Sequence, residues 1–291
     1  MFNYPIYIME QMHTPTGITR TQAERHGDYI AFLERHTKKT AGKNTDELYT
    51  PPPAVYEVVL KWVQDNCPSI QGKRIMRPFR PGGDYKAEDY TGAVVIDNPP
   101  FFIERLIIRW YLVHGVQFFL FSPALSLFNG SGITDKLTYV AVNAEVEYVH
   151  NEQVHAKVGT SFITNMHDLA SYQLIAAPEL RTAIMQAQGK QNATSNPAKT
   201  EYHPNLVTSY RFSTLAEVGI PMRVRREEAL WWRNNLLQHC RSDIYGGAFI
   251  VSDRVAAAVK EAIARKERPI KYYEPTPEAL YKVNNGEGGT R

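Results

Sequence analysis

Cysteine is scarce in this chain. Among 291 residues there are two, Cys67 and Cys240, too few for a disulfide framework or a four-ligand zinc site, and a reducing compartment accounts for both. Long apolar runs are missing too. A bilayer span needs about 20 consecutive apolar residues, whereas the stretch Val116 to Phe121 is interrupted by Gln117 and followed by Ser122, so no membrane span is expected. Met1 to Met12 holds Glu10 and no basic cluster ahead of an apolar run, which predicts no secretory leader and a cytoplasmic location. P-loop, zinc-finger and Ser-elbow patterns are absent from the sequence. His150, His155 and His167 have no carboxylate nearby at ligand spacing, so no metal is expected. His239 and Cys240 are adjacent, and adjacent side chains diverge in helix and strand alike, which argues against a nucleophile with its base.

What is present is ordinary globular composition, 43% hydrophobic and 22% charged, enough for one large domain or a core with an appendage. The net charge of +3 is unevenly spread: residues 1–45 carry +2, residues 46–175 carry −4, and residues 176–291 carry +5. Basic ends around an acidic middle are consistent with flanking pieces that touch a polyanion, and equally with a mixed solvated surface. Three pieces follow from the patterning: an N-terminal helical arm over residues 1–43, a dense core over 44–190, and a C-terminal region over 191–291, entered through the polar stretch GKQNATSNPAKT.

Within the core, Val55, Val58, Val59, Trp62 and Val63 fall at helical spacing behind Pro51, Pro52 and Pro53, where a missing N–H costs little. Arg74 to Phe79 reads as a short strand entering the turn Arg80-Pro81-Gly82-Gly83-Asp84. Ala93-Val94-Val95-Ile96 reads as a strand buried on both faces. A helical pattern then runs from Ile103 through Leu106, Ile107, Trp110 and Tyr111, and Val116 to Phe121 is a further buried strand. Strand, turn, helix, strand is the βαβ unit of a parallel sheet, so the fold class is α/β. Thr138 to Tyr148 and Lys157 to Thr164 alternate as a hairpin, expected as an antiparallel edge, and Val255 to Ile263 as a final helix.

The most informative tetrapeptide is Asn98-Pro99-Pro100-Phe101, at the carboxyl end of a buried strand, where open α/β sheets place ligands. An amino group on a nucleobase has its lone pair delocalised into the ring. An enzyme that uses it as a nucleophile must hold both N–H bonds, and an Asn side-chain carbonyl with a proline-fixed backbone carbonyl can accept one each. Phe101 offers a flat face for an extruded base, worth about 1–3 kcal/mol in stacking. A plain N-cap followed by helix-starting prolines is the competing account.

Asp97-Asn98-Pro99-Pro100-Phe101 resembles the catalytic (Asp/Asn)-Pro-Pro-(Tyr/Phe) motif of amino-directed DNA methyltransferases, specifically the N6-adenine enzymes of bacteriophages and restriction systems. Tyr49-Thr50-Pro51-Pro52 resembles the segment many of these enzymes place beside the S-adenosylmethionine pocket. Arg77-Pro78-Phe79-Arg80-Pro81-Gly82-Gly83-Asp84 is similar to their cofactor loop, which more usually reads Asp-Pro-Phe. The resemblance covers residues 44 to about 166. It implies methyl transfer to adenine in double-stranded DNA with S-adenosylmethionine as cofactor, with Asn98, Pro99, Pro100 and Phe101 as catalytic residues. It also implies Tyr49, Thr50, Pro51, Pro78, Gly82, Gly83, Asp84 and Asp97 at the cofactor. On their own residues, Gly82-Gly83 read as an ordinary turn and Thr50 as a helix cap.

Only 13 residues separate Phe79 from Ala93, about the length of a single βαβ crossover, whereas the family inserts several strands and helices there. The expectation is an abbreviated Rossmann-like methyltransferase sheet with an antiparallel edge hairpin and a small α+β C-terminal region. The acid that grips the cofactor ribose then falls within Tyr85 to Tyr90, as Glu88 or Asp89. Arg223, Arg225, Arg226 and Arg233, near Trp231 and Trp232, are the expected phosphate contacts, against a charged helix face with two core tryptophans. Two further classes stay open: a nucleic-acid-binding protein that keeps the base pocket without the cofactor, and an enzyme placing another group on the adenine amine.

Overall fold

The structure is a computed structural model that describes residues 50–80, 83–128, 133–150, 153–190, 203–231 and 247–266. The expected arm over 1–43, Tyr49, Gly82, residues 191–200, Trp232, Arg233 and Cys240 lie outside them.

Helix α1 (Pro53–Asn66) starts on a proline at its first turn and buries Val55, Tyr56, Val59, Trp62 and Val63. Strand β1 (Arg74–Met76) lies parallel to β2 (Ala93–Asp97), and β2 lies parallel to β3 (Phe118–Pro123). Helix α2 (Glu104–Val113) crosses between β2 and β3, and the chain leaves it through Gly115 at φ +67°, a left-handed conformation that glycine adopts at little cost. Strands β4 (Thr138–His150) and β5 (Gln153–Thr164) form a long hairpin, followed by β6 (Tyr172–Ala176) and α3 (Pro178–Ala187). Beyond residue 203 come β7 (Leu206–Thr208), α4 (Ser209–Glu217), β8 (Met222–Arg225), β9 (Ala229–Trp231), β10 (Ala248–Val251) and α5 (Asp253–Lys266).

The main sheet has seven strands in the order β1-β2-β3-β5-β4-β6-β8, and β7, β10 and β9 form a small antiparallel sheet. In the main sheet five strands point one way, with β5 and β8 running against them. Period-2 alternation divides the core between the two faces. Val94, Ile96, Phe119, Phe121 and Val140 pack with α1 and α3, whereas Val95, Phe118, Leu120, Tyr139 and Ala141 pack with α2, α4 and α5. The result is an α/β sandwich with helices on both faces of a mixed, Rossmann-like sheet.

One expectation needs correction. The hairpin is not at an edge, because β3 pairs with β5 and β6 with β4; local alternation gives no information on which outside strands cover a hairpin. The described part of the C-terminal third joins the same core, because β8 pairs with β6 in the main sheet and Phe212, Leu215, Val255 and Val259 complete one core face. The lack of further elements between Phe79 and Ala93 is as expected. Neither helix nor strand occurs among the described residues between Met76 and Ala93, and β1 is an edge strand. In their place Phe79, Tyr85 and Tyr90 fold onto Trp110 and Tyr111 of α2, with ring centroids 5.4 to 6.3 Å apart.

Candidate active site

Because β1 and β2 are parallel, the loops that leave them meet at one edge. The meeting point is Asp97, buried at the end of β2. Its Oδ2 accepts the Phe79 N–H at 3.0 Å and its Oδ1 accepts Arg77 Nε at 3.2 Å. The Arg77 guanidinium lies 4.0 Å over the Tyr56 ring, and the Tyr56 hydroxyl donates to the Ile96 carbonyl at 3.0 Å. Thus α1, the Arg77–Phe79 loop and the end of β2 are tied together by one carboxylate and one guanidinium. Burial pushes the Asp97 carboxyl up to about 6 against the opposing pull of the Phe79 N–H and Arg77.

Asn98, Pro99 and Pro100 are buried, Phe101 is half-buried, and the chain turns through a 3₁₀ segment, Phe101–Ile103, into α2. Two successive prolines fix φ on this turn. The Phe101 and Tyr148 rings meet in a T-shaped pair, centroids 5.8 Å apart at 89°. Beside Tyr148, Val149 and Thr50 exchange backbone hydrogen bonds of 3.0 and 2.9 Å, and Pro51 is buried next to them in sequence. Thr50, Pro51, Pro78, Asp97 and the Asn98–Phe101 turn, drawn from three distant segments, are therefore brought to the same edge.

The acids of the shortened loop are used differently from expectation. Glu88 pairs with Arg80 at 2.7 Å, Asp84 accepts the Lys86 N–H at 2.9 Å, and Asp89 accepts the Thr91 N–H at 2.9 Å. All three serve local turns. A Cβ on Gly83 would come within 3.0 Å of Arg80 Cγ and 3.1 Å of the Pro78 carbonyl, so its lack of a side chain lets the loop pack on itself.

The arginines also divide. Arg226 donates to the carbonyls of Ala170, Asp135 and Leu137 at 2.5, 2.9 and 3.3 Å and to Gln173 Oε1 at 3.2 Å. That guanidinium is committed to the fold, which corrects its expected role at phosphate. Arg223 reaches Asn66 Oδ1 at 2.9 Å and lies 5.3 Å over Tyr172. Arg225 is exposed, 4.0 Å from Glu227.

One buried group is new. Glu104, the first residue of α2, is buried, and its Oε1 has no hydrogen-bond partner among the described residues. Glu104, Ile107, Ile108 and Tyr111 share one helical stripe and the apolar spacing of the last three marks Glu104 as inward-facing, a signal present in the sequence. Burial pushes its carboxyl from 4.5 to about 8, with the Ser122 hydroxyl and Arg105 pulling the other way. The folded chain therefore keeps a proton that the unfolded chain releases, and stability present below pH 4.5 is lost as pH rises through about 8. Asp97 adds to the fall only up to about pH 6. Chemical denaturation between pH 6 and 8 is expected to show wild-type stability falling by up to about 1.4 kcal/mol per pH unit. In Glu104→Gln this fall is expected to be absent. A slope shared by both proteins would show that Glu104 is ionised in the fold.

Among the described residues, no group of three or more His, Cys, Asp or Glu is placed to hold a metal ion, and no helix is long and apolar enough to cross a membrane. No protein-family model, curated protein or solved structure matches the chain.

Proposed function

We propose that this chain is a DNA methyltransferase acting on the N6 amino group of adenine, with S-adenosylmethionine as methyl donor and double-stranded DNA as partner. The observation that supports the reading is the convergence of Thr50–Tyr56, Arg77–Phe79 and Asp97–Phe101 at the carboxyl edge of β1 and β2. Thr50–Pro52, Arg77–Phe79 and Asp97–Phe101 belong to the three segments whose sequences resemble that family, and Tyr56 follows the first of them on α1. In this reading the Asn98 amide oxygen and the Pro99 carbonyl accept the two N–H bonds of the adenine amine, drawing its lone pair out of the ring. Phe101 stacks on the base, held from the side by Tyr148. Extruding a base costs a few kcal/mol, and exposed cations such as Arg223 and Arg225 would hold the duplex through its phosphates.

The described residues match S-adenosylmethionine in part. Thr50 lies exposed beside the turn, with Pro51 and Pro78 buried and the Thr50 and Pro78 carbonyls accepting the Val149 and Arg80 N–H groups; Tyr49 would adjoin Thr50 in sequence. The carboxylates that would grip the ribose and the ammonium are otherwise engaged: Asp97 with Arg77 and Phe79, Glu88 with Arg80, and Asp84 and Asp89 with their own turns. That observation favours a second reading, a nucleic-acid-binding protein that keeps the base-holding turn and has lost the cofactor. Calorimetric titration of the full chain with S-adenosylmethionine, alone and with an adenine-containing duplex, separates the two. Saturable heat from the cofactor is the expected result. Duplex binding with no cofactor heat in either titration would replace the methyltransferase by the binding protein.

A further inference from the structure

Strand β4 breaks its pairing inside the sheet. Register with β5 shifts between Val140 and Ala144, and Asn143 takes φ +45°, the only positive value outside glycine among the described residues. A left-handed non-glycine residue in mid-strand is strained and persists only where its surroundings over-determine it. Here they do. Ser161 Oγ accepts the Val142 and Asn143 N–H groups at 3.2 and 3.1 Å. Arg181 Nη1, from α3, donates to the Val142 carbonyl at 2.9 Å and to the Asn143 carbonyl. Asn143 Nδ2 donates to Glu217 Oε1 of α4 at 2.7 Å, and Glu217 Oε2 is 2.9 Å from Lys266 of α5, both side chains buried. On the facing strand, a Cβ at Gly159 would lie 2.6 Å from Asn143 Oδ1. Helices from both faces of the sheet thus contribute to holding one distorted residue.

The bulge sits where the neighbouring strands run out. β6 ends at Ala176, opposite Ala141, and β3 ends at Pro123, opposite Thr160. The described residues of β4 and β5 from Glu145 to Gly159 therefore stand beyond the carboxyl edge of the sheet, on the side of the Asp97–Phe101 turn. This outer hairpin reaches the candidate site through two contacts, the Tyr148 ring against Phe101 and the Thr50–Val149 bridge, and its Glu145 and Glu147 are also held by Gln188 and Lys190 after α3.

We propose that the bulge is a positioning device, in which Asn143, Gly159, Arg181 and Glu217 aim the outer hairpin so that Tyr148 fixes Phe101 and Val149 fixes Thr50. The role of Phe101 as the ring that stacks on a base rests on the methyltransferase reading; the aiming of the hairpin does not. A bulge re-aims side chains because the extra residue bends and twists its strand, and bulges recur beside functional sites for that reason.

The test is amide hydrogen exchange of the full chain, read at Thr50 and Val149, whose N–H groups form the bridge. Asn143→Ala, which disfavours the left-handed backbone and removes the amide, is expected to speed exchange at both by at least about tenfold while leaving β2 and β3 protected. Asn143→Gly restores the backbone freedom without the amide and is expected to recover part of the protection lost in Asn143→Ala at both positions. Gly159→Ala, which leaves Asn143 and its partners chemically intact, is expected to act as Asn143→Ala does and serves if that variant fails to fold. Unchanged exchange at Thr50 and Val149, an equal acceleration throughout the main sheet, or no recovery in Asn143→Gly would overturn the proposal. DNA affinity of the same variants tests the functional reading separately, since altered exchange with unaltered affinity would leave the hairpin's aiming intact and remove its link to the substrate.

Discussion

Asn98→Ala is expected to lower methyl transfer to adenine by at least about a hundredfold while the thermal melting profile stays close to wild type. The size follows from the role. A carbonyl that accepts a hydrogen bond from the reacting amine interacts more strongly as the nitrogen becomes pyramidal and positive, and removing one such preorganised dipole costs about 10² to 10³ in rate. The fold loses little, because the turn is set by Pro99 and Pro100 rather than by the Asn98 side chain, and Asp97 keeps its bonds to Phe79 and Arg77. Phe101→Ala removes the stacking surface, worth about 1–3 kcal/mol per base, so its loss is expected mainly in affinity for a duplex with an unpaired or mismatched target base. Initial rates with labelled cofactor and titrations with such duplexes distinguish the two effects. Equal losses in rate and melting temperature for Asn98→Ala would make the residue structural.

The second large effect concerns stability. Arg226→Ala withdraws one guanidinium from three backbone carbonyls and Gln173 Oε1, leaving several acceptors between β6, β8 and the Thr134–Lys136 turn unanswered. Hydrogen bonds from a charged donor contribute about 1.5–3 kcal/mol each, and their losses from one side chain do not add fully. A destabilisation of about 2–4 kcal/mol is expected, read as a shift in the denaturant midpoint without a change in slope. Lys is not expected to rescue it, since a single ammonium cannot span acceptors that a planar fork reaches. Arg225→Ala is expected to stay within about 0.5 kcal/mol and instead to flatten the salt dependence of duplex binding by up to about one unit of log K against log salt. The reverse pattern, a stable Arg226→Ala with a flattened salt slope, would return Arg226 to the DNA.

Adjacent arginines with opposite fates show where sequence reading stopped. Arg223, Arg225 and Arg226 read alike as a basic cluster, and what separates them is the set of carbonyls that strands remote in sequence present to Arg226. Local periodicity was informative for α1, β2, α2, β3 and α5, because a stripe or a β-branched run reports its own burial. The Asn98–Phe101 turn was equally legible, since two prolines after a buried strand leave few backbone choices. The strands β7, β9 and β10 were not, being three or four residues long with no period to detect. The interior place of the hairpin is a fact of long-range pairing, and the bulge at Asn143 depends on Arg181 and Glu217, which lie 38 and 74 residues away. Glu104 shares the helical spacing of Ile107, Ile108 and Tyr111, so periodicity marks it as inward-facing even though an acid is not expected there.

The short connection between β1 and β2 accounts for the local use of Asp84, Glu88 and Asp89. With no strand beyond β1 among the described residues, the segment from Gly83 to Gly92 covers that side. Tyr85 and Tyr90 do this by packing on α2, and Arg80–Glu88 closes the loop behind them.

In the proposed methyltransferase, the Asp97–Phe101 turn presents adenine's amino group for methylation. Mass spectrometry of nucleosides digested from duplex DNA, after incubation with the full chain and S-adenosylmethionine, reads that outcome. N6-methyladenine is expected with wild type and little or none with Asn98→Ala. Unmodified adenine with the wild-type chain, under conditions where it binds both the duplex and the cofactor, would contradict it.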